Sequence, residues 1–159
     1  VVLFLAGHGV NDGADYLFLP SDAKLNGEKW RPETVIKWQT LQRLLEITKG
    51  RRIMLVDTCH SGNAYNARLI KDAADASIVV YTATDADTLA LEKPELAHGV
   101  FTYSVLAGLD GKADASADNA VSALELSGFL DRQVRVLTGG KQAPVFYATQ
   151  KDDFVIGRQ

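Results

Sequence analysis

Two stretches of the chain, VVLFLAGHG at residues 1–9 and RIMLVDTCHSG at residues 52–62, decide its fold. Each begins with a short apolar run rich in Val, Ile, Leu or Phe and ends in a polar segment containing glycine, which is typical of a buried strand in a parallel sheet. The amphipathic helical pattern at residues 34–48 is long enough to connect two parallel strands. We expect the strands to be neighbours, about 5 Å apart, with His8 and Cys59 in the crevice at their carboxyl ends.

Length and composition describe one ordinary globular domain. The chain has 159 residues, 47% of them hydrophobic and 23% charged, with a net charge of -3, and we interpret residues 1–159 as a single domain. No cluster of Lys and Arg indicates a nucleic-acid partner, and no apolar run approaches the ~20 residues that span a membrane. The single cysteine excludes an internal disulfide and a thiolate metal site, and favours a reducing compartment such as the cytoplasm.

The hydrophobic pattern predicts strands and helices in alternation. Strands are predicted at residues 1–6, 52–57, 77–82 and 143–148, with a short strand or hairpin arm at 15–20. Helices are predicted at residues 34–48, 64–74, 101–109 and 122–137, and polar loops at 85–98 and 112–119. This order predicts an α/β fold, with a mostly parallel sheet and helices on both faces.

Two of the predicted helices carry further signals. In the helix at residues 34–48, the apolar positions at helical spacing are Val35, Trp38, Leu41, Leu44 and Leu45. The helix at residues 122–137 has the clearest start, because Ser122 and Glu125 have the spacing of a capping box.

Cys59 is the candidate nucleophile. A lone cysteine is more often a small buried hydrophobic residue, but this one follows a strand and precedes His-Ser-Gly, a turn that would expose it. A free thiol has a pKa near 8.5, so catalysis needs an imidazole to take its proton or to stabilise the thiolate. Of the three histidines, His8 is the best partner. We interpret His60, next to Cys59 in sequence, as a turn or surface residue, and His98, before a predicted helix, as a structural capping residue.

An acyl-transfer site also needs donors for the oxyanion. The backbone N–H of Cys59 is one candidate, and that of Gly9 is a second because a residue without Cβ permits close approach. Gly9 can equally be a turn glycine.

A carboxylate that orients His8 is not required. Asp12 and Asp15 follow His8, but their spacing forces neither onto the imidazole, and a backbone carbonyl would serve as well.

Asp57 is the candidate specificity residue. It stands two positions before Cys59, and side chains two apart on a strand point to the same side of the sheet. Its carboxylate can therefore lie in a pocket beside the nucleophile and pair with Arg or Lys just before the scissile bond. The alternative is that Asp57 accepts backbone N–H bonds from the turn and never meets substrate.

At these residues the chain resembles the caspase-like cysteine peptidases, in their bacterial and metacaspase branch. The resemblance is carried by AGHG at 6–9, LPSDA at 19–23, DTCHSG at 57–62, HGVFTYSVLAGLDGKAD at 98–114, Asp118, SALEL at 122–126 and QAP at 142–144. These strings cover nearly the whole chain in order. The resemblance implies a caspase-hemoglobinase fold and a cysteine endopeptidase acting on a protein or peptide, with Cys59 as nucleophile and His8 as its partner. Metacaspases cleave after basic residues, which implies the same of this chain.

The resemblance also implies roles for further residues. Thr82, Ala83 and Asp85 would pair with the backbone of a bound peptide, a form of strand addition; a solvated loop is the alternative. Ala6 stands where several metacaspases have a serine lining the specificity pocket. Family domains begin with an earlier strand and helix. We therefore interpret Val1 as an interior position of a longer polypeptide, whose preceding segment, in the same or a separate chain, lies beside residues 1–6.

No metal or other cofactor is expected. Calcium-dependent members of the family carry an Asp pair where this chain has Trp38 and Gln39. Asp22 matches another of their acids, but one carboxylate cannot supply the several oxygen ligands that calcium needs. Two alternatives to the peptidase stay open at this point: a catalytically silent caspase-like interaction module, and a thiol hydrolase of small amides.

Overall fold

A computed structural model describes residues 1–12, 15–59, 72–73, 75–84, 90–147 and 153–158, apart from the side chains of Asn11 and Cys59. Its centre is a six-stranded sheet. In order across the sheet, the strands are β11 (Val145–Tyr147), β7 (Ile78–Thr82), β6 (Arg52–Cys59), β1 (Val2–Asp12), β2 (Asp15–Leu19) and β5 (Ile36–Lys37). The predicted α/β fold is confirmed.

Parallel pairing is confined to the middle of the sheet. Strand β6 pairs in parallel with β1 on one side, as the two opening motifs predict, and in parallel with β7 on the other. The flanking pairs, β1 with β2, β2 with β5 and β7 with β11, are antiparallel. The described sheet is therefore mixed and not mostly parallel as predicted. Only residues 13–14 separate β1 from β2, which is too few for the crossover that a parallel pair needs.

Helices cover both faces of the sheet, as predicted, and β6 shows why. Ile53 and Leu55 pack into a cluster with the helices on one face, while Met54 and Val56 pack into a second cluster on the other. Successive side chains of a strand point to opposite faces, so an uninterrupted apolar run serves two cores at once.

Helix α1 (Trp38–Glu46) is shorter than the predicted helix at residues 34–48. A 3₁₀ turn (Pro32–Thr34) and strand β5, paired with the edge of β2, occupy the first part of that segment. Trp38, Leu41 and Leu45 are buried, but Leu44 is 52% exposed. The place of Leu44 in the apolar stripe was therefore wrong, and Val35 lies outside the helix.

Two further helices among the described residues, α2 (Val100–Ala107) and α3 (Ala123–Thr138), pack against the other face. A π-helical turn (Gly108–Lys112) extends α2. The capping box is confirmed, because Ser122 accepts the N–H of Glu125 and the Glu125 carboxylate accepts the N–H of Ser122. The same carboxylate accepts the N–H groups of Ala115 and Ser116, which ties the preceding loop to the helix start.

Three small two-stranded sheets complete the described structure: β3 (Leu25–Asn26) with β4 (Lys29–Trp30), β8 (Glu92–Lys93) with β9 (His98–Gly99), and β10 (Ala120–Ser122) with β12 (Val155–Arg158). The predicted loop at residues 85–98 therefore contains strand pairing. Most of the predicted helix at residues 64–74 lies outside the described residues. The described part of the chain has no helix long and apolar enough to cross a membrane.

Candidate active site

The parallel pair β1 and β6 brings the two predicted catalytic positions together. His8 is the register partner of Cys59, and Ala6 is the partner of Asp57. Neighbouring strands lie about 4.8 Å apart, so the backbones at His8 and Cys59 are adjacent. The side chain of Cys59 lies outside the described part, and its placement here rests on the backbone register alone.

His8 lies within β1, not past its end as the sequence suggested. Strand β1 continues to Asp12 because β2 folds back on it, with His8 opposite Leu19. His8 is exposed, and among the described residues no side chain hydrogen-bonds to it. The carboxylate of Asp15 instead accepts a hydrogen bond from Gln39 Nε2, at 3.1 Å, on helix α1.

Glycine stands on either side of His8 for two different physical reasons. Gly7 has φ of +147°, a conformation that other residues rarely adopt. Gly9 packs against the buried ring of Tyr16, and a Cβ there would lie 2.6 Å from Tyr16 Cε2. The Tyr16 hydroxyl is held at 2.7 Å from Thr58 Oγ1, next to Cys59 on β6. Gly9 is therefore a close-packing glycine inside a strand, not a turn glycine.

A cleft of about 440 Å³ opens beside His8 and contains Asp57. We call it the Asp57 cleft. Its lining residues come from β1, β6, the segment of residues 90–99 and helix α2: Phe4, Ala6, Gly7, His8, Asp57, Ala90, Leu91, Glu92, His98, Gly99 and Thr102. The structure thus brings three of the predicted site residues, His8, Ala6 and Asp57, to one cavity.

Asp57 caps helix α2 from the neighbouring strand. Its Oδ2 accepts hydrogen bonds from the backbone N–H of Thr102, at 3.2 Å, and from the Thr102 hydroxyl. The N-cap residue of the helix is Gly99, which has no side chain to cap it, and a Cβ there would lie 2.8 Å from Asp57 Oδ2. A carboxylate at a helix N-terminus is favourable, because it satisfies free N–H groups and complements the helix dipole.

The position of Asp57 has one feature of each interpretation offered by the sequence. The carboxylate accepts a backbone N–H, although from α2 and not from the turn after Cys59, and it also lines the cavity. Both hydrogen bonds go to Oδ2. Among the described residues no donor bonds Oδ1, which leaves that oxygen for a ligand.

The electrostatics of the cleft favour a cationic ligand. Burial raises the pKa of Asp57 above its ordinary value, the hydrogen bonds from Thr102 lower it, and the negative charge of Glu92 raises it again. Two carboxylates thus share the cleft, and one of them is partly desolvated. A bound ammonium or guanidinium group would relieve both the desolvation and the mutual repulsion.

Sequence reasoning did not assign to the site the other three lining residues with polar or charged side chains: Glu92, His98 and Thr102. The capping role predicted for His98 was wrong, because the N-cap residue is Gly99 and the side chain that caps α2 is that of Asp57. His98 lies opposite Lys93 in β8–β9 and lines the cleft. The sequence did carry a signal for Thr102. Gly99 at the helix start has no side chain to accept a hydrogen bond, so the free N–H groups of the first turn, that of Thr102 included, need an acceptor from elsewhere. Nothing local marks Glu92.

Thr82 and Ala83 are not brought to the cleft. Both are buried, at 2% and 0% exposure. The N–H of Ala83 donates to Val56 O, and its carbonyl accepts from Gln142 Nε2. These backbone groups already have partners, which argues against a role in pairing with a peptide. Asp85 lies outside the described residues.

A second recess, of about 530 Å³, begins on the opposite side of Gly7. It shares Ala6, Gly7 and His8 with the Asp57 cleft, but its other walls are largely apolar and come from the β2 end and the β3–β4 hairpin: Phe18, Leu19, Pro20, Ser21, Ala23 and Trp30. His8 therefore lies between an acidic cavity and an apolar one. Within the described ranges, no group of three or more His, Cys, Asp or Glu side chains could hold a metal ion.

His8 and Cys59 are thus in register on neighbouring parallel strands of an α/β sheet. The family model for the caspase domain matches residues 1–155, and the chain belongs to that family. A search of curated proteins found no match to the chain.

Proposed function

We propose that the chain is a cysteine endopeptidase that cleaves peptide bonds after Arg or Lys, with Cys59 as nucleophile and His8 as its partner. The observation that carries the proposal is the register of β1 and β6, which pairs His8 with Cys59 and places Asp57 in the adjoining cleft. Membership of the caspase domain family supports the class of reaction.

In the proposed reaction, His8 takes the thiol proton of Cys59 and the thiolate attacks the carbonyl carbon of the scissile bond. The N–H groups of Cys59 and Gly9 would stabilise the oxyanion, each contributing about 3–4 kcal/mol. His8 then gives its proton to the leaving amine as the C–N bond breaks, leaving a thioester on Cys59. Water, deprotonated by His8, hydrolyses the thioester and regenerates the thiol.

The preference for Arg or Lys rests on the Asp57 cleft. Oδ1 of Asp57 has no protein donor among the described residues, and Glu92 adds a second negative charge. A charge-assisted hydrogen bond to a basic side chain would contribute roughly 1.5–3 kcal/mol, which corresponds to about tenfold to hundredfold discrimination.

The two recesses favour an endopeptidase over a hydrolase of small amides. The two recesses meet at Ala6, Gly7 and His8, and they extend away from His8 on opposite sides. A chain that crosses His8 would place residues in both, whereas a small amide would fill only one.

We also propose that a further strand pairs with the free edge of β1. Strand β2 covers β1 only from His8 to Asp12, and within the described structure no strand pairs with the other side of Val2–Gly7. Val2 is 60% exposed and Phe4 43%. The expected partner is the preceding segment of the same polypeptide, in cis or as a separate chain.

Hydrolysis of fluorogenic peptides that differ only in Arg, Lys, Asp or Ala before the scissile bond tests the proposal. We expect turnover of the Arg and Lys peptides, its abolition in Cys59→Ala, and a nearly equal loss in His8→Ala, because members of a catalytic unit are not additive. Gln39→Ala, on α1 and away from the cleft, is the matched control and should retain activity. Preference for the Asp peptide, or turnover by Cys59→Ala, would contradict the proposal.

A further inference from the structure

Gln142, in the QAP segment that no proposed catalytic step uses, is completely buried and joins three separate parts of the chain. Its Nε2 donates to the carbonyl of Ala83, at 2.9 Å, just after β7. Its Oε1 accepts the N–H of Leu91, at 3.0 Å, and its own N–H donates to Thr138 Oγ1 at the end of α3.

Leu91 connects Gln142 to the Asp57 cleft. Its side chain lines that cleft and also packs against the main hydrophobic cluster. Its carbonyl accepts the N–H of Val100, at 2.9 Å, which is the first residue of α2. The same first turn of α2 carries Thr102, whose N–H and hydroxyl donate to Asp57.

We propose that Gln142 is a positioning residue for the Asp57 cleft, which acts through Leu91 and the start of α2 on the carboxylate of Asp57. Both functional ends of one amide are needed, since the donor fixes Ala83 on the sheet and the acceptor fixes Leu91 at the cleft wall. Leu91 is in turn held on both sides, by Gln142 and by Val100. This inference rests on the proposed function, because its consequence is the binding of a basic side chain.

Two substitutions separate this role from a merely structural one. Gln142→Met keeps the volume but removes both side-chain hydrogen bonds, and should raise KM for the Arg peptide about tenfold, with a smaller change in kcat. Gln142→Glu keeps the acceptor but lacks the donor while ionised. When protonated, the introduced carboxyl can again donate to Ala83 O and accept from Leu91 N, so its kcat/KM relative to the unsubstituted chain should rise about tenfold as the pH is lowered.

Thr138→Val is the matched control. It removes the hydroxyl that accepts the N–H of Gln142, in the same buried region, but leaves the contacts to Ala83 and Leu91 in place. It should lower the thermal midpoint while KM for the Arg peptide stays within about twofold of the unsubstituted value. All kinetics are measured well below the midpoint of each variant.

Hydrogen exchange on the unsubstituted chain gives a test that needs neither folding of a variant nor catalysis. The N–H of Leu91 should exchange as slowly as those of buried β6, although Leu91 lies at the cleft wall. Rapid exchange at Leu91 would overturn the inference, as would an unchanged KM in folded Gln142→Met, or a pH profile of Gln142→Glu parallel to that of the unsubstituted chain. Absence of any turnover by the unsubstituted chain would instead count against the proposed function.

Discussion

His8 is positioned by the glycine on each side of it. Gly7 supplies a backbone conformation with positive φ, and Gly9 leaves room for the Tyr16 ring, whose hydroxyl pairs with Thr58 beside Cys59. The sequence marks both glycines, but it does not distinguish a turn from close packing. Only the partner strand, with Tyr16 buried behind Gly9, shows which of the two applies.

Replacement of Gly9 by Ala should destabilise the fold by about 1–3 kcal/mol, because the added methyl overlaps the Tyr16 ring in a packed core. Urea unfolding measures the change. Gly128→Ala is the matched control. An added Cβ there comes no closer than 3.5 Å to Arg132, and alanine in a helix should stabilise by about 0.5–1 kcal/mol. Equal effects at the two positions would contradict the packing argument.

Asp57 should control both the specificity and its pH dependence. Because burial raises its pKa, the ratio of kcat/KM for the Arg peptide to kcat/KM for the Ala peptide should increase with pH through a value above the ordinary Asp range, as the carboxylate ionises. Ionisation of His8 and Cys59 affects both peptides alike, so this acid limb of the ratio reports on Asp57. Asp57→Asn should remove this acid limb and lower the preference for Arg over Ala about tenfold or more. Glu92→Gln should move the limb to lower pH, since it removes a charge that raises the pKa. An Arg-to-Ala ratio that still rises with pH in Asp57→Asn would contradict the assignment.

The raised pKa of Asp57 also predicts how the stability of the fold depends on pH, and here ionisation is unfavourable although it favours binding of the Arg peptide. A carboxyl whose pKa is higher in the folded state stabilises the fold below its unfolded pKa, and this contribution is lost as the pH rises through the folded value. Asp57→Asn should therefore be at least as stable as the unsubstituted chain at neutral pH, although it loses specificity. Thermal unfolding at pH 4 and pH 7 measures this.

For helices and strands, local sequence signals predicted the boundaries correctly only where the contacts that set them join residues close together in the sequence. The capping box of α3 involves Ser122 and Glu125, three residues apart, and the structure confirms it. The start of α1 was misplaced because residues 36–37 join the open edge of β2, a contact that the sequence pattern does not encode. Strand β1 was predicted too short for the same reason, since β2 extends it beyond the apolar run.

The capping box should contribute measurably to stability. Ser122→Ala removes the acceptor for the Glu125 N–H and should cost about 1 kcal/mol in urea unfolding. Hydrogen bonds from Ser122 and the preceding loop lower the pKa of Glu125, so its contribution is present above the unfolded pKa and is lost as the pH falls through the folded value. Ser127→Ala, on the exposed side of α3, should change stability by less than about 0.5 kcal/mol. A Ser122→Ala loss no larger than this would argue against the cap.

The free edge of β1 should promote association. An apolar edge strand without a partner pairs readily with other chains, so the isolated chain should form oligomers or precipitate, and the preceding segment should restore a monodisperse species. Val2→Lys places a charge on this exposed edge and should reduce association. Light scattering measures both effects. A monodisperse isolated chain, unaffected by Val2→Lys, would contradict the proposed strand partner.

At the scale of the whole molecule, one half of the site could be predicted and the other could not. His8, Cys59 and Asp57 lie on two strands whose apolar runs and intervening amphipathic helix predict a parallel pair. Asp57 and Cys59 are two residues apart, so their side chains are expected on the same face of the sheet. Glu92, His98 and Thr102 reach the same cleft from a region far along the chain. That region is positioned by tertiary contacts, such as the hydrogen bond from Leu91 N–H to Gln142 Oε1. A local sequence pattern does not predict such contacts.

Covalent trapping is the most direct test that Cys59 is the nucleophile, that His8 is its partner and that the cleft prefers Arg. The unsubstituted chain is treated with two acyloxymethyl ketone peptides that differ only in Arg or its neutral isostere citrulline before the reactive group, and the adduct is located by mass spectrometry. We expect a single adduct on Cys59, formed about tenfold or more faster with Arg, and slowed strongly by His8→Ala. Equal rates with the two peptides, an adduct on any residue other than Cys59, or an undiminished rate in His8→Ala would contradict it.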